Sequence, residues 1–202
     1  MTRSLRPLLA TALIFLFAYL LAVLQHPAMF STRVVGNFLT DNAFLGIAAV
    51  GMTFVILSGG IDLSVGAVIG FTTVLIAVLI MWLNLHPLLA FGIALVVASG
   101  FGAIMGAAIH YLKVPSFIVT LAGMFLARGG ASVLSPDSIG IEHEFYSAVS
   151  KSYILLPGGG RLTVVGMIML AVFAVAILLA HRTRFGSNVY ALGGSETSAA
   201  LM

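Results

Sequence analysis

The chain has 202 residues, 61% of them hydrophobic and 7% charged, with a mean hydropathy of +1.19. Water-soluble domains carry roughly a quarter charged residues, so this balance excludes one and points to an all-α protein crossing a membrane several times. The net charge of +3 does not indicate nucleic acid, because the nine Lys and Arg stand singly at segment ends. With no cysteine, disulfides and thiolate metal sites are excluded too.

Arg3 and Arg6 precede the apolar run Leu8–Gln25. It is as long as a membrane span, longer than a signal-peptide core, and no small-x-small cleavage pattern follows before His26-Pro27, so it is expected to be a retained first span. Further spans are expected at Ala43–Leu57, Val65–Leu85, Leu88–Tyr111, Ser116–Leu134 and Leu162–His181, giving six in a single transmembrane domain covering 1–202. His86-Pro87 and Val114-Pro115 mark boundaries, since the residue before proline avoids the helical region. The positive-inside bias puts Arg3, Arg6, Lys113, Arg182 and Arg184 in the cytoplasm and Arg33, Lys151 and Arg161 outside, with both termini cytoplasmic.

Between the second and third spans lies Ser58-Gly59-Gly60-Ile61-Asp62-Leu63-Ser64. A glycine pair fits a helix that unwinds, and unwound backbone is tolerated at membrane depth only where protein or a cavity covers it. An acid there marks a path for solute or ions, as in the broken helices of transporters. The alternative is that Asp62 or Ser64 caps the next helix at the membrane surface. Thr53, Phe54, Ser58, Gly59, Gly60, Asp62 and Ser64 are the candidate residues of such a path, with lipid-facing or interhelical packing the alternative for Thr53, Phe54 and Ser58.

Gly66 and Gly70, and Ala94, Ala98, Gly102, Gly106 and His110, repeat at four-residue spacing and predict close helix packing. Arg128, near the outer end of the fifth span, is expected to snorkel; pairing with Asp62 is the alternative. The polar stretch Ser135–Arg161 contains Pro157-Gly158-Gly159-Gly160. Without a following Gly-Lys-Ser/Thr or a preceding strand it reads as a turn into the sixth span and not as a phosphate loop. The five histidines lack metal-ligand spacing, no Gly-x-Ser-x-Gly is present, and Asp62 has no second intramembrane acid to work with.

Arg182–Met202 leaves the last span as a cytoplasmic loop. Gly193-Gly194 allows a sharp turn, Ser195 a cap, and Glu196 begins a short helix whose Ala199-Ala200-Leu201-Met202 end is apolar. Such a helix either docks a partner or enters another span.

Two blocks, Ala49–Gly66 and Val114–Met124 followed by Arg128-Gly129, resemble the ribose-type sugar permeases of bacterial ATP-binding-cassette importers. Arg184-Phe185-Gly186, Tyr190-Ala191-Leu192-Gly193-Gly194 and Ala199-Ala200 resemble the family's ATPase-contacting loop. Within the family, Thr40–Gly46, Pro157–Leu162 and Leu179–Gly186 are similar to a galactofuranose importer permease. The resemblance implies an incomplete type II permease bundle in the bacterial inner membrane, without catalytic activity or a bound cofactor of its own. It also implies three partners: a cytoplasmic ATPase that uses ATP, a second permease or a second copy, and a periplasmic sugar-binding protein. Coupling would run through Phe185, Gly186, Gly193, Gly194, Glu196, Ser198, Ala199 and Ala200. Because family members continue with further helices, the chain is expected to correspond to the first part of a permease. Competing readings are a non-transporting membrane scaffold or regulator and an ATP-independent channel or carrier.

Overall fold

The computed structural model describes residues 2–194. Glu196, Ser198, Ala199 and Ala200 therefore lie outside the described residues. Nine α-helices are found among those described: α1 (Thr2–Gln25), α2 (Thr32–Asp41), α3 (Ala43–Leu57), α4 (Val65–Met81), α5 (Pro87–Tyr111), α6 (Ser116–Leu134), α7 (Glu144–Lys151), α8 (Val164–Arg182) and α9 (Arg184–Gly194). One two-stranded antiparallel hairpin, β1 (Tyr153–Leu156) and β2 (Gly160–Thr163), precedes α8.

All six segments expected to cross the membrane are helical over most of their length. By length and hydropathy, α5, α6 and α8 each reach crossing length, with a fourth candidate if α2 and α3 count as one broken span. Leu9–Gln25 and Val65–Met81 are shorter apolar helices. The third segment ends at Met81, not Leu85, because the chain turns through Asn84 at φ 51°. Leu162 belongs to β2, so the last long helix starts two residues later than expected.

Contacts divide the chain into two units, residues Met1–Phe44 with Ser150–Met169, and Leu45–Val149 with Leu170–Met202. In the first unit, α2 lies against the hairpin. Ser31 opens α2 by accepting the Val34 N–H at 3.4 Å. A Cβ on Gly36 would overlap the Arg161 carbonyl, and one on Gly160 the Thr32 carbonyl, so small residues on both sides permit backbone contact. The Thr40 and Thr163 hydroxyls meet at 3.0 Å across the same seam. The hairpin corrects the expectation of a bare turn at Pro157–Gly160. A strand does precede these glycines, and the N–H of Gly159 bonds the Leu156 carbonyl at 3.1 Å with Gly158 at φ 87°. Proline followed by a positive-φ glycine is the type II turn combination. The phosphate-loop reading still fails for want of the Gly-Lys-Ser/Thr.

In the second unit, α4 packs chiefly on α6 and α5. Gly123 of α6 abuts Met105 and Phe101 of α5, and Gly130 sits under the Phe71 ring, its Cβ position 3.2 Å from Phe71 Cε2. Of the four-residue stripes, Ala94 is buried, whereas the glycines are not closely approached. Among the described residues, nothing lies within 4 Å of a Cβ position at Gly66, Gly70, Gly102 or Gly106. Close approaches fall at glycines outside those stripes, against large side chains at Gly123 and Gly130 and against backbone at Gly186 and Gly193.

One end of this unit is closed by a small core of Leu79, Ile80 and Ala90, against which Leu85, Ile141 and Tyr146 pack. His86 caps α5 by accepting the Leu88 N–H at 3.3 Å, and His143 accepts the Phe145 N–H at 3.1 Å just before and within α7. Their rings meet edge to face at 5.9 Å, beside Phe145. Burial in this aromatic cluster raises the Tyr146 phenol above its ordinary value of 10.0.

Candidate functional site

Helix α3 does not fade out; it is stopped. The N–H of Gly60 reaches the Val55 carbonyl at 2.9 Å, the N–H of Gly59 reaches Ile56 at 3.0 Å, and Gly59 stands at φ 79°. This is the Schellman arrangement, in which a left-handed glycine satisfies the last carbonyls of a helix. A side chain at Gly59 would strain the backbone by about 1–2 kcal/mol. The second glycine, Gly60, lies tight against Val55, with its Cβ position 3.2 Å from Val55 Cγ1.

Beyond the stop the backbone is irregular from Gly60 to Ser64, and its polar groups take partners outside their own helix. They come from the first turn of α6. The Ile61 N–H donates to Ser116 Oγ at 3.2 Å, and Thr120 Oγ1 donates to the Ile61 carbonyl at 3.3 Å while also bonding Ser116 O at 2.8 Å. Sequence reading did not single out Ser116 and Thr120 as site residues. Two hydroxyls four residues apart at the start of a helix, just after a proline, were the available signal. The partner they serve lies 55 and 59 residues away, and nothing local announces it.

Asp62 then folds back over the entry to α4. One carboxylate oxygen, Oδ1, accepts both the Ser64 N–H at 2.7 Å and the Ser64 hydroxyl at 2.6 Å. Ser64 is 1% exposed, occupies the N-cap position of α4 and makes no capping bond to that helix. The carboxylate therefore stabilises the turn before the helix, which is close to the capping alternative. Its second oxygen has no hydrogen-bond partner among the described residues. Arg128 is exposed and no ion pair joins it to Asp62.

Asp62 and Ser64 form one polar end of an otherwise apolar cleft of about 340 Å³, whose walls include Gly51, Met52, Val55 and Phe101. Thr53 and Phe54, on another face of α3, line a second cleft of about 280 Å³ with Leu57, Phe173, His181 and Tyr190. The Thr53 hydroxyl donates to Ala49 O at 2.7 Å and the Ser58 hydroxyl to Val55 O at 2.8 Å, so both are engaged within their own helix. The structure thus brings Gly59, Gly60, Asp62 and Ser64 together at one break and sets Thr53 and Phe54 on a neighbouring cleft. Among the described residues no group of three or more His, Cys, Asp or Glu is placed to hold a metal.

The coupling candidates meet this break directly. Thr183 caps α9 by accepting the Gly186 N–H at 3.3 Å, and a Cβ on Gly186 would overlap the Ala180 carbonyl, so the α8–α9 turn is tight. Phe185 stacks at a tilt on Phe54, ring centroids 5.5 Å apart. At its other end α9 places Gly193 against the last turn of α3, where a Cβ would overlap the Leu57 carbonyl, and Gly59 lies 3.9 Å from the Gly193 Cα at its own Cβ position. A sharp turn at Gly193-Gly194 was expected; instead both glycines are the last helical residues of α9.

Three helices long and apolar enough to cross a membrane, beside a helix closed by a glycine pair, fit a polytopic membrane protein. The chain belongs to the family described as "Branched-chain amino acid transport system / permease component", which matches residues 34–202. It is 57% identical over 97% of its length to the inner membrane ABC transporter permease protein YjfF of Escherichia coli strain K12. It is 37% identical over 99% of its length to the fructose import permease protein FruG of Bifidobacterium longum. With the ribose import permease protein RbsC of Haemophilus influenzae it shares 35% identity over 94% of its length. The chain spans 59%, 60% and 58% of these three relatives, respectively. No solved structure matches it.

Proposed function

We propose that this chain supplies the substrate path and the ATPase-facing helix of a sugar importer in the bacterial inner membrane, driven by ATP hydrolysis on a separate subunit. The observation that carries this is the stopped helix at Gly59-Gly60, with Asp62 and Ser64 facing a cleft on one side and α9 touching its last turn on the other. A sugar hydroxyl suits the free Asp62 oxygen, and the apolar walls of the cleft suit a pyranose or furanose face. Fructose and ribose appear in the names of two relatives, which supports a monosaccharide. Galactofuranose, or a close relation, is the particular sugar favoured by the resemblance of Thr40–Gly46, Pro157–Leu162 and Leu179–Gly186. On this reading all six apolar segments cross the membrane, both termini are cytoplasmic, and the protein works with a second permease or copy, the ATPase and a periplasmic binding protein.

The test is sugar uptake by cells carrying the complete transporter. Asp62→Ala is expected to insert normally and to reduce uptake of the cognate sugar at least tenfold, the scale of one lost charge-assisted hydrogen bond. Near-normal uptake with Asp62→Ala would confine Asp62 to the turn before α4. Failure of the ATPase to co-purify with the complete permease would remove the importer reading altogether.

A further inference from the structure

We propose that α2 and the β-hairpin form a binding site for the phosphate of an anionic phospholipid headgroup, gripped by Arg33 and Arg161 with Lys151 at the rim. Two hollows of about 360 and 490 Å³ adjoin here and share Asn37 and Arg161. Arg33 lines the first, while Lys151, Tyr153 and Thr163 line the second. Among the described residues no carboxylate lines either. Asp41 is the one acid within 1–44 and 150–169, and it takes no part in either hollow.

The cations are positioned without being neutralised. The Arg161 guanidinium stands 4.6 Å from the centroid of the Tyr153 ring, which orients the fork and leaves its charge available. Among the described residues, neither Arg33 nor Arg161 has a carboxylate within ion-pair distance. The walls beneath are fixed by backbone contact at Gly36 and Gly160 and by the Thr40–Thr163 hydroxyl pair. Planar guanidinium forks beside amide and hydroxyl groups fit a phosphate better than they fit a neutral solute.

The surroundings favour a lipid source over a soluble anion. Val35 and Phe38 on α2, Ile154 and Leu155 on β1, and Phe30 just before α2 are all at least half exposed. Cations beside exposed apolar side chains are what an element lying in a headgroup layer presents, its apolar groups among acyl chains and its charges on phosphates. This site is independent of the transport reading and needs only that the chain sit in a bilayer.

The full chain is placed in phosphatidylcholine nanodiscs containing a photoactivatable phosphatidylglycerol, and crosslinks are mapped by mass spectrometry. Labelling is expected to concentrate on residues 30–41 and 151–163. Arg33→Gln with Arg161→Gln should lower it there by about tenfold or more, as expected for two headgroup-facing charges, while labelling on α5 is unchanged. The Arg33→Lys, Arg161→Lys pair should keep most of it, which separates loss of charge from loss of fold. Inorganic phosphate in excess should not compete. Uniform labelling along the apolar helices, or labelling indifferent to the glutamine variants, would overturn the proposal. So would displacement by inorganic phosphate, which marks a soluble-anion site, or by a periplasmic binding protein, which marks a protein-docking face.

Discussion

Gly193→Ala isolates the contact between α9 and the stopped helix. A methyl group at this position would overlap the Leu57 carbonyl oxygen, which is backbone and cannot rotate away. Forcing extra volume into a packed contact costs about 1–3 kcal/mol, whereas alanine in place of glycine in a helix gains at most about 1 kcal/mol. The adjacent Gly194 has nothing among the described residues within 4 Å of its Cβ position, so Gly194→Ala takes the helix gain without the overlap. The pair should therefore differ by about 1–3 kcal/mol in the stability of the α9–α3 contact, a factor of roughly 5 to 150 in its opening equilibrium. Amide hydrogen exchange at Gly59 and Gly60 reads this directly, because their N–H groups close the last turn of α3. Exchange should be faster by that factor in Gly193→Ala than in Gly194→Ala, which should leave it unchanged or slower than in the unmodified protein. In the complete transporter the first variant should also hydrolyse more ATP per sugar imported. Equal exchange in the two variants would refute the idea that α9 bears on the break.

Gly59→Ala places a side chain at φ 79° and should destabilise the protein by about 1–2 kcal/mol, seen as a lower unfolding temperature in detergent, while Gly51→Ala, with open space around it, should not. Ser116→Ala combined with Thr120→Val removes both partners of Ile61 and should cost about 0.5–1.5 kcal/mol for each lost bond, measurable as faster exchange at Ile61. Burial raises the Tyr146 phenol, so the folded state holds that proton more tightly than the unfolded state does. Its contribution to stability is complete below the ordinary value of 10.0 and is lost as pH rises through the raised value, and Tyr146→Phe should flatten that alkaline decline in a thermal unfolding series.

The sequence by itself determined the class of protein, the starts of α5 and α6, and the place where α3 ends. These are local matters. Low charge and long apolar runs leave no soluble alternative, proline dictates where a helix can begin, and a glycine pair supplies the one backbone geometry that closes a helix tightly. It also marked Asp62, since a lone acid between apolar segments needs a reason to be there. Tertiary structure decided the rest. The hairpin at Tyr153–Thr163 was missed because its four-residue strands are too short to carry a period, and they are defined by contact with Gly36 and Thr40 of α2, more than 110 residues earlier in the chain. The same holds for the tether at Ile61. Ser116 and Thr120 look like ordinary residues at the start of a helix until the irregular backbone at Ile61 is laid across them. Four-residue spacing put glycines on a common helix face, but which faces meet depended on where Phe71, Phe101 and Met105 extend, and that is fixed only when the helices pack.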